Sequence, residues 1–172
     1  MAAAAASGVK VPVPTITATG TAKTHFFTVE EKEVIAIVAD LIIPADEVSP
    51  GARAAEVHEW IDFVVANSPT DVQQKWREGL AALDRASLES TGRRFRQLPQ
   101  EKQVKLLEHL AEHEFAPMTP GERFFALAKD ATVNGYYTSE IGLVKDLRYA
   151  GGTFVEGPET HCPARSAQRA KE

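Results

Sequence analysis

Hydrophobic positions recur at helical spacing in five or six separate segments of the chain. Thr28 and Glu31 form a capping box, in which each side chain satisfies the other residue's backbone N–H at the start of a helix. Apolar residues then keep a helical period until Pro44, which cannot continue a helix. These apolar residues are Val34, Ile35, Ile37, Val38, Leu41 and Ile42. The pattern predicts a first helix over about 28–43.

Two further helices are predicted between Pro50 and Gly92. One follows from a single apolar stripe that ends before Ser68 and Pro69, and the stripe consists of Val57, Trp60, Ile61, Val64 and Val65. The other follows from Thr70 and Gln73, which fit a second capping box. Its apolar positions continue toward Ser90 and are Val72, Trp76, Leu80 and Leu83. Gly92 is suited to end this third helix.

The second half of the chain predicts two longer helices and one short helix. Pro99 suits a first helical turn, and the apolar spacing after it runs to about His113. A fifth helix is predicted to end before Gly135, and it opens with the cap, proline and acid of Thr119, Pro120 and Glu122. A sixth helix, capped by Thr138 or Ser139, carries Ile141, Val144 and Leu147.

The predicted fold class is all-α, a single-domain bundle of about five to six helices. The chain has 172 residues, which suffices for one core, and no pair of strands joined by a hairpin turn is recognisable. Residues 1–25 are rich in Ala, Thr, Gly and Pro and predict an extended, low-complexity arm. Residues 26–150 form the predicted helical domain, and residues 151–172 a predicted irregular tail.

Charge and hydropathy make several classes of partner improbable. The formal net charge of −5 disfavours nucleic acid and anionic membrane surfaces. No segment approaches the roughly 20 apolar residues of a membrane span. Residues 1–24 lack the basic start of an intact secretory signal. The sequence therefore predicts no nucleic-acid partner and no membrane span.

The motifs of several enzyme classes are missing from the sequence. It contains no G-x-G-x-x-G, no G-x-x-x-x-G-K-[ST] and no G-x-S-x-G, so neither a bound cofactor nor a catalytic residue is expected in this chain. His109, Glu112 and His113 match the H-x-x-E-H pattern of a zinc hydrolase, which leaves metal-dependent hydrolysis as one alternative. Helical spacing places these three residues on the face opposite the apolar stripe, so a hydrated surface is the favoured interpretation and no metal is predicted.

Two segments of the sequence carry a family resemblance. The first runs from Ile43-Pro44-Ala45-Asp46 through Ser49-Pro50-Gly51-Ala52 to Val57 and Ile61-Asp62, and the second is Gly135-Tyr136-Tyr137-Thr138-Ser139-Glu140-Ile141-Gly142. With the flanking helices and the terminal Cys162-Pro163, the chain resembles the gluconate 2-dehydrogenase subunit 3 family over roughly 26–163.

The resemblance implies an accessory role. Such small, or gamma, subunits accompany FAD-dependent, GMC-type dehydrogenases of sugars or sugar acids, either membrane-associated or periplasmic. The resemblance implies that the catalytic large subunit holds the FAD and that a cytochrome c subunit or another acceptor takes the electrons. The expected function is to support folding, export, stability or assembly of the flavoprotein in the periplasm. The main alternative is a free-standing helical regulatory or ligand-binding protein.

Two hypotheses concern the contacts of this chain with its partner. Gly135 could end one helix in the left-handed conformation while Thr138 or Ser139 starts the next, so the second motif predicts a rigid corner. Adjacent tyrosines on a corner point in different directions, so Tyr136 or Tyr137, with Glu140, is the predicted interface. The alternative is that both rings pack inside the chain. Cys162 is the only cysteine and is the candidate for an intersubunit disulfide, with a buried free thiol as the alternative.

Overall fold

A computed structural model describes residues 25–149 of the chain. Six α-helices follow one another: α1 (Val29–Ile42), α2 (Gly51–Ala54), α3 (Val57–Ala66), α4 (Thr70–Thr91), α5 (Gln100–Ala111) and α6 (Pro120–Tyr137). A 3₁₀ turn, Phe95–Gln97, lies between α4 and α5, and a π-helix, Ile141–Asp146, follows α6. The described part of the chain contains no strand, so the predicted all-α class is confirmed.

Helix ends follow the capping signals at three positions. Thr28 and Glu31 form the predicted capping box of α1, and Thr119 and Glu122 form that of α6. Each box satisfies backbone N–H groups that have no partner inside the helix. Gly92 ends α4 in the left-handed conformation with φ 72°, which glycine adopts without steric cost.

The predicted capping box at the start of α4 is wrong. Pro69 precedes the helix, and Thr70 is already its first residue, without a side-chain cap. The Gln73 amide instead donates to the carbonyl oxygens of Val65, Ala66 and Ser68, at 3.1–3.2 Å. Gln73 therefore satisfies acceptors at the end of α3, because the chain reverses direction there and brings those carbonyls to the first turn of α4.

Helix α6 lies at the centre of the bundle and packs against α1, α3, α4 and α5. Its Phe124 meets Trp76 of α4 edge to face at 5.9 Å between ring centroids, and Trp76 meets Phe27 at 5.7 Å. Such aromatic pairs add to the stabilisation from burial. The core therefore runs as a row of rings from the start of α1, across α4, to α6.

Among the residues from 25 to 149, no helix is both long and apolar enough to cross a bilayer. The tail 151–172, with Cys162, and the arm up to residue 24 lie outside the described residues. The predictions for those segments stay predictions.

Candidate functional site

The two motif segments meet through a buried hydrogen bond. Ser49, in the loop that follows α1, bonds through its hydroxyl to the phenol of Tyr136, in the last turn of α6. Ser49 is 6% exposed and the Tyr136 side chain is fully buried. The Ser49 hydroxyl oxygen also accepts from Gly51 N at 3.1 Å. Segments 87 residues apart in sequence thus form one structural unit.

Hydrogen bonds among its own residues hold the loop in shape. Asp46 Oδ1 accepts from the N–H groups of Ser49 at 2.6 Å and Val48 at 2.8 Å, and Asp46 N donates to Ser49 O at 2.8 Å. The hydrogen bond from Ser49 N, followed by that from Val48 N, holds the pKa of the Asp46 carboxyl below its usual value. The loop therefore closes on itself and places the Ser49 side chain inward.

Gly51 is required where the loop enters α2. Its φ is +78°, a region that residues with a side chain rarely adopt. An added Cβ would also lie 2.6 Å from Ala45 N and 2.9 Å from the Pro44 carbonyl carbon, both of them backbone atoms. The Pro-Gly pair of the first motif is thus explained by a close approach of two backbone segments.

The predicted helix end at Gly135 is wrong, because α6 continues to Tyr137. Gly135 lies inside the helix, where an added Cβ would lie 2.8 Å from Trp60 Cε3 and 3.1 Å from Val57 Cγ1. This glycine is needed so that α3 can pack closely against α6. The left-handed conformation expected at Gly135 is not found.

The chain turns after Tyr137 rather than at Gly135. Ser139 Oγ accepts from Gly142 N at 3.0 Å, so Ser139 assists the start of the π-helix. An added Cβ at Gly142 would collide with the Tyr136 carbonyl group, so two backbone segments approach each other closely at this position. The second motif is therefore a tight corner, as predicted, with its turn displaced by a few residues.

The two tyrosines of the corner differ in accessibility. Tyr136 is fully buried and bonded within the chain, so its side chain cannot be an exposed anchor in this conformation. Tyr137 is 36% exposed and packs edge to face on Tyr136 at 5.1 Å. Desolvation by burial, reinforced by Asp146, raises the pKa of the Tyr137 phenol. Glu140 is exposed. Tyr137 and Glu140 remain the accessible members of the predicted interface, and their contact with a partner stays a prediction.

Further apolar side chains are exposed on the segment after Tyr137. Val144, Leu147 and Tyr149 each expose between 54% and 59% of their surface. Val48, which precedes Ser49 in the bonded loop, is 59% exposed. Exposed apolar groups are typical of protein–protein contacts where they lie together. The exposed residues that adjoin the bonded pair or follow it along the chain are called the corner surface below, and they are Val48, Tyr137, Glu140, Val144, Leu147 and Tyr149.

Asp62 organises a second region, where the chain enters α1. This carboxylate is fully buried, and its Oδ1 accepts from Phe26 N at 2.7 Å and Phe27 N at 2.9 Å. Its Oδ2 lies 3.0 Å from His25 Nδ1 and 3.7 Å from Lys32 Nζ. Burial raises the pKa of Asp62, but the hydrogen bonds from Phe27 N, Phe26 N and His25, with the Lys32 charge, outweigh it and lower the pKa.

His25, Glu59 and Asp62 bring potential metal-ligand atoms within 4.8 Å of one another. Lys32 Nζ, however, lies 2.9 Å and 3.1 Å from the two Glu59 oxygens, and the hydrogen bond to Glu59 raises the pKa of Lys32. An ammonium group therefore occupies the position that a cation would take between these carboxylates. The donor set fits a structural ion-pair cluster better than a metal site.

The H-x-x-E-H residues lie on the surface, as their helical spacing predicts. The His109 side chain is 73% exposed and lies 3.5 Å from Glu112, whereas His113 pairs with Glu122 at 3.5 Å. The two histidines thus have different carboxylate partners. A catalytic zinc needs three protein ligands that converge on one point, and these residues do not provide them.

A cavity of about 610 Å³ between α1 and α4 bears on the ligand-binding alternative. Four of its six charged lining residues are paired with one another, Arg77 with Glu31 at 3.1 Å and Arg94 with Asp84 at 3.8 Å. The other two, Glu30 and Arg96, carry opposite charges. Because these charges are already compensated, the cavity does not offer a concentrated charge to an ionic ligand.

Sequence reasoning missed the roles of Asp62 and Ser49, although both lie within the first motif. An acid inside the apolar stripe of α3 was the available signal for Asp62, since a buried carboxylate needs partners. The partners of Ser49 and Asp62 come from distant segments, so periodicity could not identify them.

Comparisons with known proteins agree with the two motifs. The family model described as Gluconate 2-dehydrogenase subunit 3 matches residues 29–154. No curated protein and no solved structure matches the chain. The matched region includes both the Ser49 loop and the Tyr136 corner. The chain therefore belongs to the gluconate 2-dehydrogenase subunit 3 family.

Proposed function

We propose that this chain is a non-catalytic small subunit of an FAD-dependent, GMC-type dehydrogenase of a sugar or sugar acid. In this proposal it supports folding, export, stability or assembly of the catalytic flavoprotein in the periplasm. The FAD belongs to the large subunit, and a cytochrome c subunit or another acceptor takes the electrons. The proposal extends the family membership of the chain, because the family is named for a subunit of a dehydrogenase.

The corner surface is the observation that favours a partner-binding role. The two motifs by which the chain resembles its family are bonded to each other in the interior, and the residues next to them expose apolar side chains. A buried Ser49–Tyr136 pair fixes the backbone, so that Tyr137 and Glu140 are held in place before a partner binds. Such preorganisation reduces the entropy lost on association.

The ionisable groups described above fit a binding role better than a catalytic one. Asp62 and Lys32 are held in an ion-pair cluster, and the carboxylates of Asp46 and Glu122 accept backbone hydrogen bonds that lower their pKa. These groups stabilise local structure. None of them combines a raised carboxyl pKa with a neighbouring nucleophile, which is the arrangement that acid–base catalysis favours.

Co-expression of this chain with the flavoprotein subunit tests the proposal. We expect the two to elute together with flavin absorbance, and the flavoprotein to lose solubility or activity without this chain. Tyr137→Ala and Glu140→Ala should weaken the complex, whereas Val29→Ala, at an exposed position at the start of α1, should not. A stable monomer that never associates with a flavoprotein would refute the proposal and favour the free-standing regulatory or ligand-binding protein.

A further inference from the structure

The loop between α5 and α6 carries a second exposed apolar feature, separate from the corner surface. Phe115 is 96% exposed and Met118, three residues later, is 80% exposed. Single exposed apolar residues are common on protein surfaces. An aromatic ring with almost no contact to its own chain is less common, and it leaves a large apolar area in water.

This loop is held by hydrogen bonds and ion pairs on both sides of Phe115. Lys129 Nζ of α6 lies 2.6 Å from Glu114 Oε2, immediately before Phe115. After it, Arg123 Nη1 donates to Met118 O at 2.7 Å and Met118 N donates to Glu122 Oε2 at 2.7 Å. The backbone that presents Phe115 is therefore fixed, although its ring has no support.

Charges around the loop favour one kind of partner. Between Glu108 and Arg123 the sequence carries four carboxylates, Glu108, Glu112, Glu114 and Glu122. They outnumber the two cations at the loop, which are Arg123 and the Lys129 that pairs with Glu114. Glu112 is 60% exposed beside the loop. An acidic surround opposes insertion into an anionic lipid surface, because like charges repel there. It suits an apolar pocket whose rim is positively charged.

We propose that Phe115 is an anchor that inserts into an apolar pocket with a cationic rim on the flavoprotein subunit, with Met118 covering the edge of that pocket. The inference rests on the proposed function, because it takes the flavoprotein as the partner. Interface anchors are typically aromatic side chains that enter a preformed pocket, surrounded by polar contacts that contribute less.

The anchor and the corner surface lie at opposite ends of α6. That helix has 18 residues, which corresponds to a length of about 27 Å. A partner that contacts both features would therefore have to span a distance of about the length of α6, although α6 itself lies inside the bundle. Interfaces of standard size have comparable dimensions, so one large subunit can contact both.

A titration of the purified flavoprotein subunit with the purified chain measures their affinity and tests this inference. Phe115→Ala should weaken binding by about 30-fold or more, the loss typical of an anchor residue. Glu112→Lys should slow association, because it reverses a charge at the rim. Val29→Ala is the matched control, since Val29 is 78% exposed and lies on α1, outside the loop between α5 and α6. Each variant should keep the free energy of unfolding of the wild type, because the side chains it changes are exposed.

Four results distinguish the two proposals. Loss of affinity in Phe115→Ala, with the control unchanged, supports the anchor. Equal affinity of wild type and Phe115→Ala overturns the anchor and leaves the accessory function intact. Failure of the wild type itself to bind overturns both. Binding to phosphatidylglycerol vesicles that depends on Phe115, with binding to the flavoprotein independent of it, also overturns the anchor and assigns Phe115 to a lipid surface.

Discussion

The hydroxyl of Ser49 and the phenol of Tyr136 share a buried hydrogen bond between the loop after α1 and the last turn of α6. Each residue belongs to one of the two motifs that carry the family resemblance. The bond explains why these motifs occur together, since each supplies half of one buried polar pair. It also connects the interior of the bundle with the corner surface, where Val48 and Tyr137 are the adjacent exposed residues.

Tyr136→Phe should lower the free energy of unfolding by about 1–3 kcal/mol, because the buried Ser49 hydroxyl loses its bond to the phenol and keeps only the one from Gly51 N. Ser49→Ala should cost a similar amount. The double variant should cost less than the sum of the two, since neither polar group then remains unpaired. Urea denaturation measures all three. Tyr149→Phe, at an exposed position, is the control, and additive losses would show that the two hydroxyls are not coupled.

Glycine-to-alanine substitutions should change the free energy of unfolding by different amounts, depending on the atoms that an added Cβ meets. Gly142→Ala should destabilise the fold by about 1–3 kcal/mol or more, because the Tyr136 carbonyl belongs to the backbone and cannot move aside easily. Gly121→Ala should be nearly neutral. There the Cβ meets only the end of the Leu110 side chain at 3.0 Å, and alanine favours the helix by about 1 kcal/mol.

Thermal or urea unfolding ranks these two glycine variants. The stability of Gly135→Ala should lie between those of the other two variants, because the rigid Trp60 ring lies 2.8 Å from the added Cβ. A Gly121 variant that is less stable than the Gly142 variant would contradict the packing described for α6 and the corner.

Asp62→Asn should destabilise the protein by about 1.5–3 kcal/mol at neutral pH, the usual loss for hydrogen bonds to a charged group. The folded protein lowers the pKa of Asp62 below its ordinary value of 3.8. The stabilisation from Asp62 is therefore fully present above that value and is lost as the pH falls through the lower pKa of the folded state. Unfolding free energies of wild type and variant should converge in acid.

The control for Asp62 is Asp71→Asn on the surface of α4. Asp71 is 68% exposed and pairs with Lys75 at 3.2 Å, so its substitution should change the free energy of unfolding by about 0.5 kcal/mol or less. A difference between wild type and Asp62→Asn that stays constant from neutral pH into acid would mean that the carboxylate charge is not the stabilising feature.

Cys162 is the candidate for a disulfide with the flavoprotein subunit, and the alternative is a buried free thiol. With the disulfide, the two subunits should migrate together on a non-reducing gel and separately after reduction. Cys162→Ser should abolish the joint band while leaving the fold of residues 25–149 unchanged. Separate migration without reductant, from a complex purified under oxidising conditions, would reject the disulfide.

Helix positions were predictable because their signals are local. The capping boxes at Thr28 and Thr119 need only residues three positions apart, and Gly92 ends α4 through its own backbone freedom. The same local reasoning failed at Thr70. There Gln73 could serve either its own helix or the end of α3, and only the reversal of the chain decided between them.

Gly135 shows the same limit in the second motif. A glycine near the end of an apolar segment predicts a helix end, yet a glycine inside a helix also permits close packing of a second helix. The two uses have the same local sequence. The position of Trp60, 75 residues earlier in the chain, selects the second use.

The sequence by itself determined the all-α class, most helix ends, the surface position of the H-x-x-E-H residues and the family. Each of these depends on periodicity, on caps a few residues apart or on motif identity. Only the tertiary structure decided that Tyr136 is interior and Tyr137 accessible, that Asp62 binds the start of α1, and that Phe115 projects without support. Burial and long-range hydrogen bonds depend on which segments meet in space, and residue spacing along the chain does not specify that.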